Sequence, residues 1–396
     1  MNQRLVDDLS EELGRLKAAG TYKSFNTLTS PMDAVVRMEG RGDVLVMSSN
    51  NYLGLASHPE VVAAGIGGLQ AYGAGTASVR FICGTFQPHL ELESELAGLL
   101  RTEAATTYVS CWNANEAVIP SLTDSNTVIL SDALNHASII DSIRLSRPAR
   151  KVIYPHSDLA QLEAGLRSCE PGQRKLIITD GVFSMEGDLA RLPEIVDLAR
   201  RFDAVVVVDD SHGCGVLGKT GRGVAEHFGL LGEIDILTGT LGKALGGAAG
   251  GYVAGPKAVC DMLTQRSRPQ LFSNALPPTV ACSARAAIQV LLNEPERVSR
   301  LRENSAVLRD LLRAGGLNPL EGDSAIVPVI VGDTALAIRM SKLLLDSGVF
   351  VTGFGFPVVP EGTARIRFQV SAAHTRAHLE QAAAAAVTAA GTLGLL

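Results

Sequence analysis

The chain has 396 residues, of which 46% are apolar and 19% charged, with a net charge of −6 and an isoelectric point near 5.8. These values are typical of a globular protein and exclude the disordered and fibrous classes. The acidic balance and the lack of any basic block in the sequence disfavour nucleic acid as a partner.

The cysteines and the N-terminal residues carry no targeting or metal-binding pattern. Six cysteines are scattered without C-x-x-C spacing, which argues against zinc and against a disulfide framework and fits a reducing compartment. The N-terminus is charged and has no apolar signal region, and no apolar stretch is long enough to span a bilayer. We therefore expect a cytoplasmic protein with no metal and no membrane partner.

The first predicted element is an amphipathic helix over residues 2–19. Its leucines at positions 5, 9, 13 and 16 share one helical face, which we expect to pack on a neighbour.

From about residue 44, short β-rich runs alternate with helical stretches. Strands are predicted at 44–48, 105–110, 127–130, 151–154, 175–180, 204–209, 234–238 and 250–254, and helices at 58–72, 89–101, 114–122, 136–145, 157–167, 192–202 and 255–266. This alternation predicts an α/β fold with a mostly parallel sheet covered by helices on both faces.

The pattern changes after Pro277 and Pro278. A long helical region, roughly 279–315, leads to strands predicted at 326–331, 349–352 and 364–370 and helices at 334–347 and 375–393. We interpret this region as a smaller C-terminal α+β domain. The predicted division is an N-terminal segment (1–50), a large cofactor-binding domain (51–285) and a small domain (286–396).

The most informative constellation is an acid, a histidine and a lysine in one order. Asp209 ends an apolar run, His212 follows in a turn, and Lys243 comes about 30 residues later among glycines and threonines. A lysine amine condenses with the aldehyde of pyridoxal phosphate as a Schiff base, and a strand-end acid keeps the pyridine nitrogen protonated. Taken singly, each residue has an ordinary structural interpretation: a surface lysine, a helix cap and a local hydrogen bond. Together they predict a pyridoxal phosphate site.

A phosphate site is predicted where residues 108–115 join a strand to a helix. The amides at the start of that helix suit a dianion, and Thr238 and Thr240 add hydroxyls. The alternative is an ordinary N-cap formed by Ser110 or Asn113.

Two nucleotide-binding motifs are excluded by spacing. A P-loop needs Ser or Thr directly after its Gly-Lys pair, whereas Ala244 follows Lys243. No G-x-G-x-x-G opens a helix after the first strand, so a dinucleotide fold is not indicated.

Four further residues are candidates for the site. His136 opens a helix after a strand, where its ring either stacks on a planar cofactor or simply caps the helix. Ser184 lies in a loop at the same edge of the sheet. Arg365 and Arg367 lie on one face of an alternating strand, where they either grip a carboxylate or remain in solvent.

At these residues the sequence resembles the α-oxoamine synthases of the fold-type I pyridoxal-phosphate enzymes, above all their glycine C-acetyltransferase branch. The resemblance spans about residues 44–375. It is carried by Asn50-Asn-Tyr-Leu-Gly-Leu-Ala, Ala77-Ser-Val-Arg-Phe-Ile-Cys-Gly-Thr85, Ser131-Asp-Ala-Leu-Asn-His, Thr179-Asp-Gly-Val-Phe-Ser-Met, Val208-Asp-Asp-Ser-His, Thr238-Gly-Thr-Leu-Gly-Lys-Ala-Leu-Gly-Gly-Ala, Arg266-Ser-Arg-Pro, Pro357-Val-Val-Pro and Ala364-Arg-Ile-Arg.

The resemblance implies a fold-type I transferase that condenses glycine with an acyl-CoA, most simply acetyl-CoA, as a homodimer with shared active sites. Lys243 is implied to form the Schiff base and to move the α-proton of the substrate. Asp209 is implied to pair with the ring nitrogen, His212 with the ring oxygen, and His136 to stack on the ring. The remaining implied contacts are Cys111, Trp112, Ser184 and Thr240 to the cofactor, Ser273 and Asn274 to the cofactor of the other subunit, and Asn50 and Arg367 to the substrate.

The chain departs from the family pattern at Trp112, Glu116 and Cys214. These departures leave open a sibling synthase that uses another acyl thioester or another amino acid. An aminotransferase or lyase is disfavoured by the segment 80–85, and a silent partner subunit is disfavoured because Lys243 is present.

Overall fold

The computed structural model describes residues 2–396, so Met1 of the predicted N-terminal segment lies outside the described residues. Its helices are α1 (Gln3–Ala18), α2 (Pro59–Tyr72), α3 (Gln87–Leu100), α4 (Cys111–Leu122), α5 (Ala137–Leu145), α6 (Leu159–Arg167), α7 (Leu192–Phe202), α8 (Val224–His227), α9 (Lys257–Arg266), α10 (Arg268–Phe272), α11 (Pro278–Asn293), α12 (Glu296–Ala314), α13 (Thr334–Asp346) and α14 (Arg376–Thr392). Its strands are β1 (Val35–Met38), β2 (Gly42–Val46), β3 (Ala104–Tyr108), β4 (Thr127–Asp132), β5 (Arg150–Tyr154), β6 (Arg174–Asp180), β7 (Ala204–Asp209), β8 (Ile236–Thr240), β9 (Gly251–Gly255), β10 (Ile326–Gly332), β11 (Val349–Phe350), β12 (Thr352–Phe354) and β13 (Ala364–Gln369).

Two compact units divide the chain. The larger unit comprises residues 50–302 and 322–324, and the smaller unit comprises residues up to 49, 303–321 and 325–396. The N-terminal segment therefore groups with the C-terminal residues, and residues 286–302, which we assigned to the small domain, group with the larger unit. As a statement about independently folding domains, the predicted division stays a prediction.

The larger unit is built on a seven-stranded sheet in the order β3-β9-β8-β7-β6-β4-β5. The pairs from β8 through β5 are parallel, and β9 runs antiparallel to both of its neighbours. The predicted α/β fold with a mostly parallel sheet is confirmed. Since β3 runs in the same direction as the parallel strands, the carboxyl ends of β3, β4, β6, β7 and β8 share one edge, where ligands of open α/β sheets bind.

The core of this unit explains why its strands are apolar throughout. Ile119 of α4 packs in one buried cluster with Ile129 of β4, Ile178 of β6, Val207 of β7 and Val253 of β9. Strands covered by helices have both faces buried and therefore do not alternate apolar with polar residues.

The smaller unit contains two three-stranded sheets, β1-β2-β11 and β10-β13-β12. Strand β1 was not predicted, although its residues alternate exposed and buried. Helix α1 forms as predicted, but it buries none of its residues within the chain, and Leu5 and Leu9 are 57% and 56% exposed. Across residues 2–396 no helix has the length and apolarity needed to cross a bilayer.

Candidate active site

A cavity of about 220 Å³ lies in the larger unit, at the shared edge where the parallel strands end. It is lined by Ser110, Cys111, Trp112, His136, Ser138, Asp180, Val182, Ser184, Asp209, Ser211, His212, Thr240 and Lys243. Eight of the predicted cofactor residues are among these, although they are spread over more than 130 residues of sequence. The fold therefore brings the predicted acid, histidines and lysine together.

Lys243 lies in the loop between β8 and β9, and its Nζ is 2.8 Å from Nε2 of His212. The loop needs its glycines, because Gly246 and Gly247 have φ of +95° and +67°. In addition, a Cβ on Gly247 would lie 3.0 Å from the side chain of Ala56. The glycine-rich sequence thus folds back tightly and leaves the lysine amine in the cavity.

Asp209 ends β7 and is almost fully buried. Its carboxylate accepts hydrogen bonds from Nδ2 of Asn115, at 2.8 Å, and from the backbone N–H of Ser211, at 3.0 Å. The Sγ of Cys111 lies 3.6 Å away, and burial together with this carboxylate raises the pKa of the Cys111 thiol. The acid is oriented by neutral donors, and the adjacent thiol stays protonated.

Asp180 ends β6 and is the register partner of Asp209 on the neighbouring strand. Burial, reinforced by the charge of Asp209, raises the pKa of Asp180 well above its ordinary value. Its carboxyl group accepts the backbone N–H of His136 at 3.0 Å.

The groups predicted to bind a phosphate lie at the first turn of α4 and at the end of β8. Ser110 is the N-cap of α4, with its hydroxyl accepting the N–H of Asn113 at 3.2 Å, so the capping interpretation is confirmed. Thr240 lines the cavity as expected. Thr238 does not line it, since this residue is buried and donates to Oδ1 of Asn115.

His136 is the N-cap of α5, as the structural alternative predicted, and it also lines the cavity. Its Nδ1 lies 2.8 Å from the hydroxyl of Ser138, and burial lowers the pKa of the imidazole. Trp112 meets the ring edge to face at 6.0 Å. A neutral imidazole held in one orientation offers a flat surface to a planar ligand.

The other predicted residues lie outside this cavity. Ser273 and Asn274 line a separate, smaller cavity in the same unit, together with Arg80 and Gln270. Arg367 belongs to the smaller unit and is buried on β13, with its guanidinium over the ring of Phe354 at 4.6 Å. The solvent alternative for Arg365 and Arg367 is wrong, because their exposure is only 4% and 8%.

Sequence reasoning missed several residues of the site. Asp180 ends an apolar strand, which is the same signal that identified Asp209, and Asn115 follows Cys111 by one helical turn. Tyr52 had no such signal. Its hydroxyl lies 2.8 Å from Nδ1 of His212, a contact across 160 positions of sequence.

The polar groups present fit pyridoxal phosphate. The hydroxyl of Ser211 lines the cavity and is buried without a hydrogen-bond partner among the described residues, so it is available to a ligand. A lysine amine, a buried carboxylate and the amides of a helix start surround the same space, which matches an aldehyde, a ring nitrogen and a phosphate.

Comparisons with known proteins agree with this chemistry. Residues 42–385 match the family described as aminotransferase class I and II. The chain is 46% identical to 8-amino-7-oxononanoate synthase of Symbiobacterium thermophilum, over 99% of this chain and 100% of that protein. It is 43% identical to 2-amino-3-ketobutyrate coenzyme A ligase of Escherichia coli K12 over the whole length of both. The structure of serine palmitoyltransferase of Sphingomonas wittichii superimposes with a TM-score of 0.94 at 30% identity and covers 100% of both chains. The chain therefore belongs to the class I and II aminotransferase family and, within it, to the α-oxoamine synthases.

Proposed function

We propose that this chain is a pyridoxal-phosphate-dependent acyltransferase that condenses glycine with an acyl-CoA, with acetyl-CoA as its donor. The products are 2-amino-3-oxobutanoate and CoA, and the reaction is reversible. The observation that carries the proposal is the amine of Lys243 beside His212 and the buried Asp209 in one cavity. Full-length similarity to 2-amino-3-ketobutyrate coenzyme A ligases supports the substrates.

When bound, pyridoxal phosphate withdraws electrons from the α-carbon of the amino acid. In our proposal the chain's own groups prepare that step. Lys243 would hold the cofactor through its amine, and its Nζ would accept the α-proton of the amino acid. Asp209 would pair with the ring nitrogen, His212 would pair with the ring oxygen, and His136 would stack on the ring.

The remaining assignments are also proposals. Ser184, Thr240 and the main chain of Cys111 and Trp112 hold the cofactor at the cavity edge. Asn50 contacts the substrate, and Arg367 binds the carboxylate of the amino acid, where a guanidinium makes two parallel hydrogen bonds.

We further propose that the protein acts as a cytoplasmic homodimer in threonine breakdown. Ser273 and Asn274 line a cavity separate from the one that holds Lys243, which fits a contact with the cofactor of a second copy.

A second candidate function is a synthase that uses another acyl thioester or another amino acid. Two observations favour it: the 46% identity to an 8-amino-7-oxononanoate synthase, and the indole of Trp112, which lines the cavity and is 39% exposed. The two candidates share the same chemistry at Lys243 and differ in the acyl donor or in the amino acid.

The test is CoA release from the purified holoenzyme with glycine and a panel of acyl-CoAs that starts with acetyl-CoA. We expect turnover with acetyl-CoA that disappears in Lys243→Ala, because the lysine is the point of entry of the reaction. Lys257→Ala is the matched control, since Lys257 is an exposed lysine paired with Asp261. Turnover with a longer donor but not with acetyl-CoA establishes the second candidate. Full activity of Lys243→Ala contradicts both.

A further inference from the structure

Tyr52 and His212 form a hydrogen-bonded line that ends at the lysine of the cavity. The hydroxyl of Tyr52 lies 2.8 Å from Nδ1 of His212, and Nε2 of the same ring lies 2.8 Å from Nζ of Lys243. Both side chains are buried, Tyr52 completely. Neither ring nitrogen therefore faces bulk water. In the neutral ring, the nitrogen that donates a hydrogen bond determines that the other nitrogen accepts one.

The tyrosine hydroxyl is both a donor and an acceptor, so it suits either tautomer of the histidine. If Lys243 is an ammonium, it only donates, and His212 must accept at Nε2 and donate its Nδ1 proton to Tyr52. The hydroxyl proton then points toward Oδ1 of Asn50, which lies 3.5 Å away. If Nε2 carries the proton instead, Tyr52 donates to Nδ1. The two arrangements differ by one proton, the one that leaves Lys243, and neither needs a heavy atom to move.

We propose that Tyr52 is a positioning residue that orients the ring of His212, supports both of its tautomers and thereby sets when Lys243 gives up its proton. The proposal rests on the proposed function, because it assigns His212 and Lys243 to the cofactor.

Four other titratable groups face Lys243 in the cavity: Asp180, Cys111, His136 and Asp209. Burial raises the pKa of Asp180 and of Cys111, and burial lowers the pKa of His136. These groups come from the end of β6 and the starts of α4 and α5, and Asp209 completes the set at the end of β7. A proton-linked change is therefore assigned to the line from Tyr52 to Lys243 by comparing variants of Tyr52 and His212 with the wild type.

The test is the visible absorbance of the bound cofactor as a function of pH, measured on the holoenzyme without substrate. A hydroxyl that donates to Nδ1 strengthens the Nε2–H as a donor toward the cofactor ring oxygen. Without that hydroxyl, the cofactor keeps its proton to higher pH. For Tyr52→Phe we expect the midpoint of the titration to rise by about half to one pH unit, and kcat to fall about tenfold with the KM for glycine within about twofold.

Tyr154→Phe is the matched control. Tyr154 is also buried in the larger unit, but its hydroxyl has no hydrogen-bond partner among the described residues. The control should titrate like the wild type. In a His212→Asn background, adding Tyr52→Phe should shift nothing further, because the tyrosine acts through the histidine.

A nearly isosteric probe covers the case in which Tyr52→Phe fails to fold. Replacing Tyr52 with 3-fluorotyrosine makes the hydroxyl a stronger donor, so the midpoint should move to lower pH. Equal midpoints for the wild type, Tyr52→Phe and the fluorotyrosine protein would overturn the proposal. A wild-type protein with no visible band would contradict the proposed function instead, and inactivity with glycine but a normal titration would contradict only the substrates.

Discussion

At the scale of single residues, the site contains two neighbouring buried acids whose surroundings differ. Asp180 and Asp209 end adjacent parallel strands in register, and both are buried. Burial raises the pKa of Asp180, whereas Asp209 receives two hydrogen bonds from Asn115 and Ser211. The surroundings of the two acids therefore differ, and Asp209 is the one that polar donors orient.

This difference predicts opposite outcomes for the same substitution. Asp180→Asn keeps a neutral group of the same shape, so we expect cofactor absorbance and activity within about threefold of wild type, a difference below about 1 kcal/mol. Asp209→Asn removes the anion, and we expect activity to fall by several orders of magnitude. Spectra and turnover of the two purified variants test this, and equal losses would contradict the assignment.

The same acid has a consequence for stability. Because the pKa of Asp180 is higher in the folded than in the unfolded chain, the folded state binds more protons, and stability falls as pH rises above about 4. Asp180→Asn removes that contribution. Urea unfolding at several pH values should therefore show a shallower loss of stability in the variant.

At the scale of elements, one charged histidine ties three strand ends together. His156 follows β5, its Nδ1 lies 3.0 Å from Asp132 at the end of β4, and its Nε2 lies 2.9 Å from Asp188 in the loop after β6. Burial lowers the pKa of His156, but its hydrogen bonds to the two carboxylates outweigh burial and raise the pKa to about 10. The loop that it holds carries Ser184 of the cavity.

The stability from this contact has a defined pH window. Because the folded pKa is raised, the contribution is complete below the unfolded value of about 6.5 and is lost as pH rises through about 10. We expect His156→Gln to lower the free energy of unfolding by about 2 kcal/mol at about pH 6. The difference from wild type should shrink above about pH 10.

The measurement is urea unfolding of both proteins across that range. His227→Gln is the control. The ring nitrogen of His227 lies 3.9 Å from a carboxylate oxygen of Asp323, which is too far for a hydrogen bond. A difference that stayed constant with pH would show that packing, not charge, is responsible.

The first turn of α4 holds the only tryptophan of the sequence in place. Nε1 of Trp112 donates to one oxygen of Glu116 at 3.0 Å, and Nδ2 of Asn113 donates to the other at 3.0 Å. Trp112 and Glu116 both depart from the family pattern, and they act together because the glutamate fixes the indole at the cavity.

Releasing the indole should be visible in its fluorescence. Glu116→Ala removes both acceptors, so we expect stronger quenching by acrylamide, a loss of about 1 kcal/mol of stability and an altered preference among acyl-CoA donors. The exposed Glu170 provides the control variant Glu170→Ala. Unchanged quenching would mean that the indole is held by its packing alone.

At the scale of the whole molecule, the proposed homodimer is testable by subunit mixing. Lys243→Ala lacks the amine, and the double variant Ser273→Ala, Asn274→Ala lacks the groups proposed to reach a second copy. If active sites are shared, co-expression should give mixed dimers with activity that neither parent has, because one site keeps all its groups. Activity no higher than the sum of the parents would contradict shared sites.

Sequence predicted most of the strands and helices and the acid–histidine–lysine set because each has a local signal. Asp209 ends an apolar run, and Lys243 is surrounded by glycines that a tight loop requires. Tyr52 carried no signal, since its partner His212 is far along the chain. Thr238 was expected at the phosphate because it precedes Lys243 closely, yet its position on β8 turns its hydroxyl toward Asn115.

The order of strands in the large sheet also matters for a growing polypeptide. Strand β3 lies at one edge and pairs with β9 alone in that sheet, and β9 is synthesised about 150 residues later. At about 5 to 20 residues per second, β3 waits about 8 to 30 s for its partner on the ribosome. A Cβ on Gly251 of β9 would collide with the backbone of Ser110 and Cys111 just after β3, so the two segments are in close contact. The packing of the start of α4 against β9 therefore forms only after β9 has been synthesised.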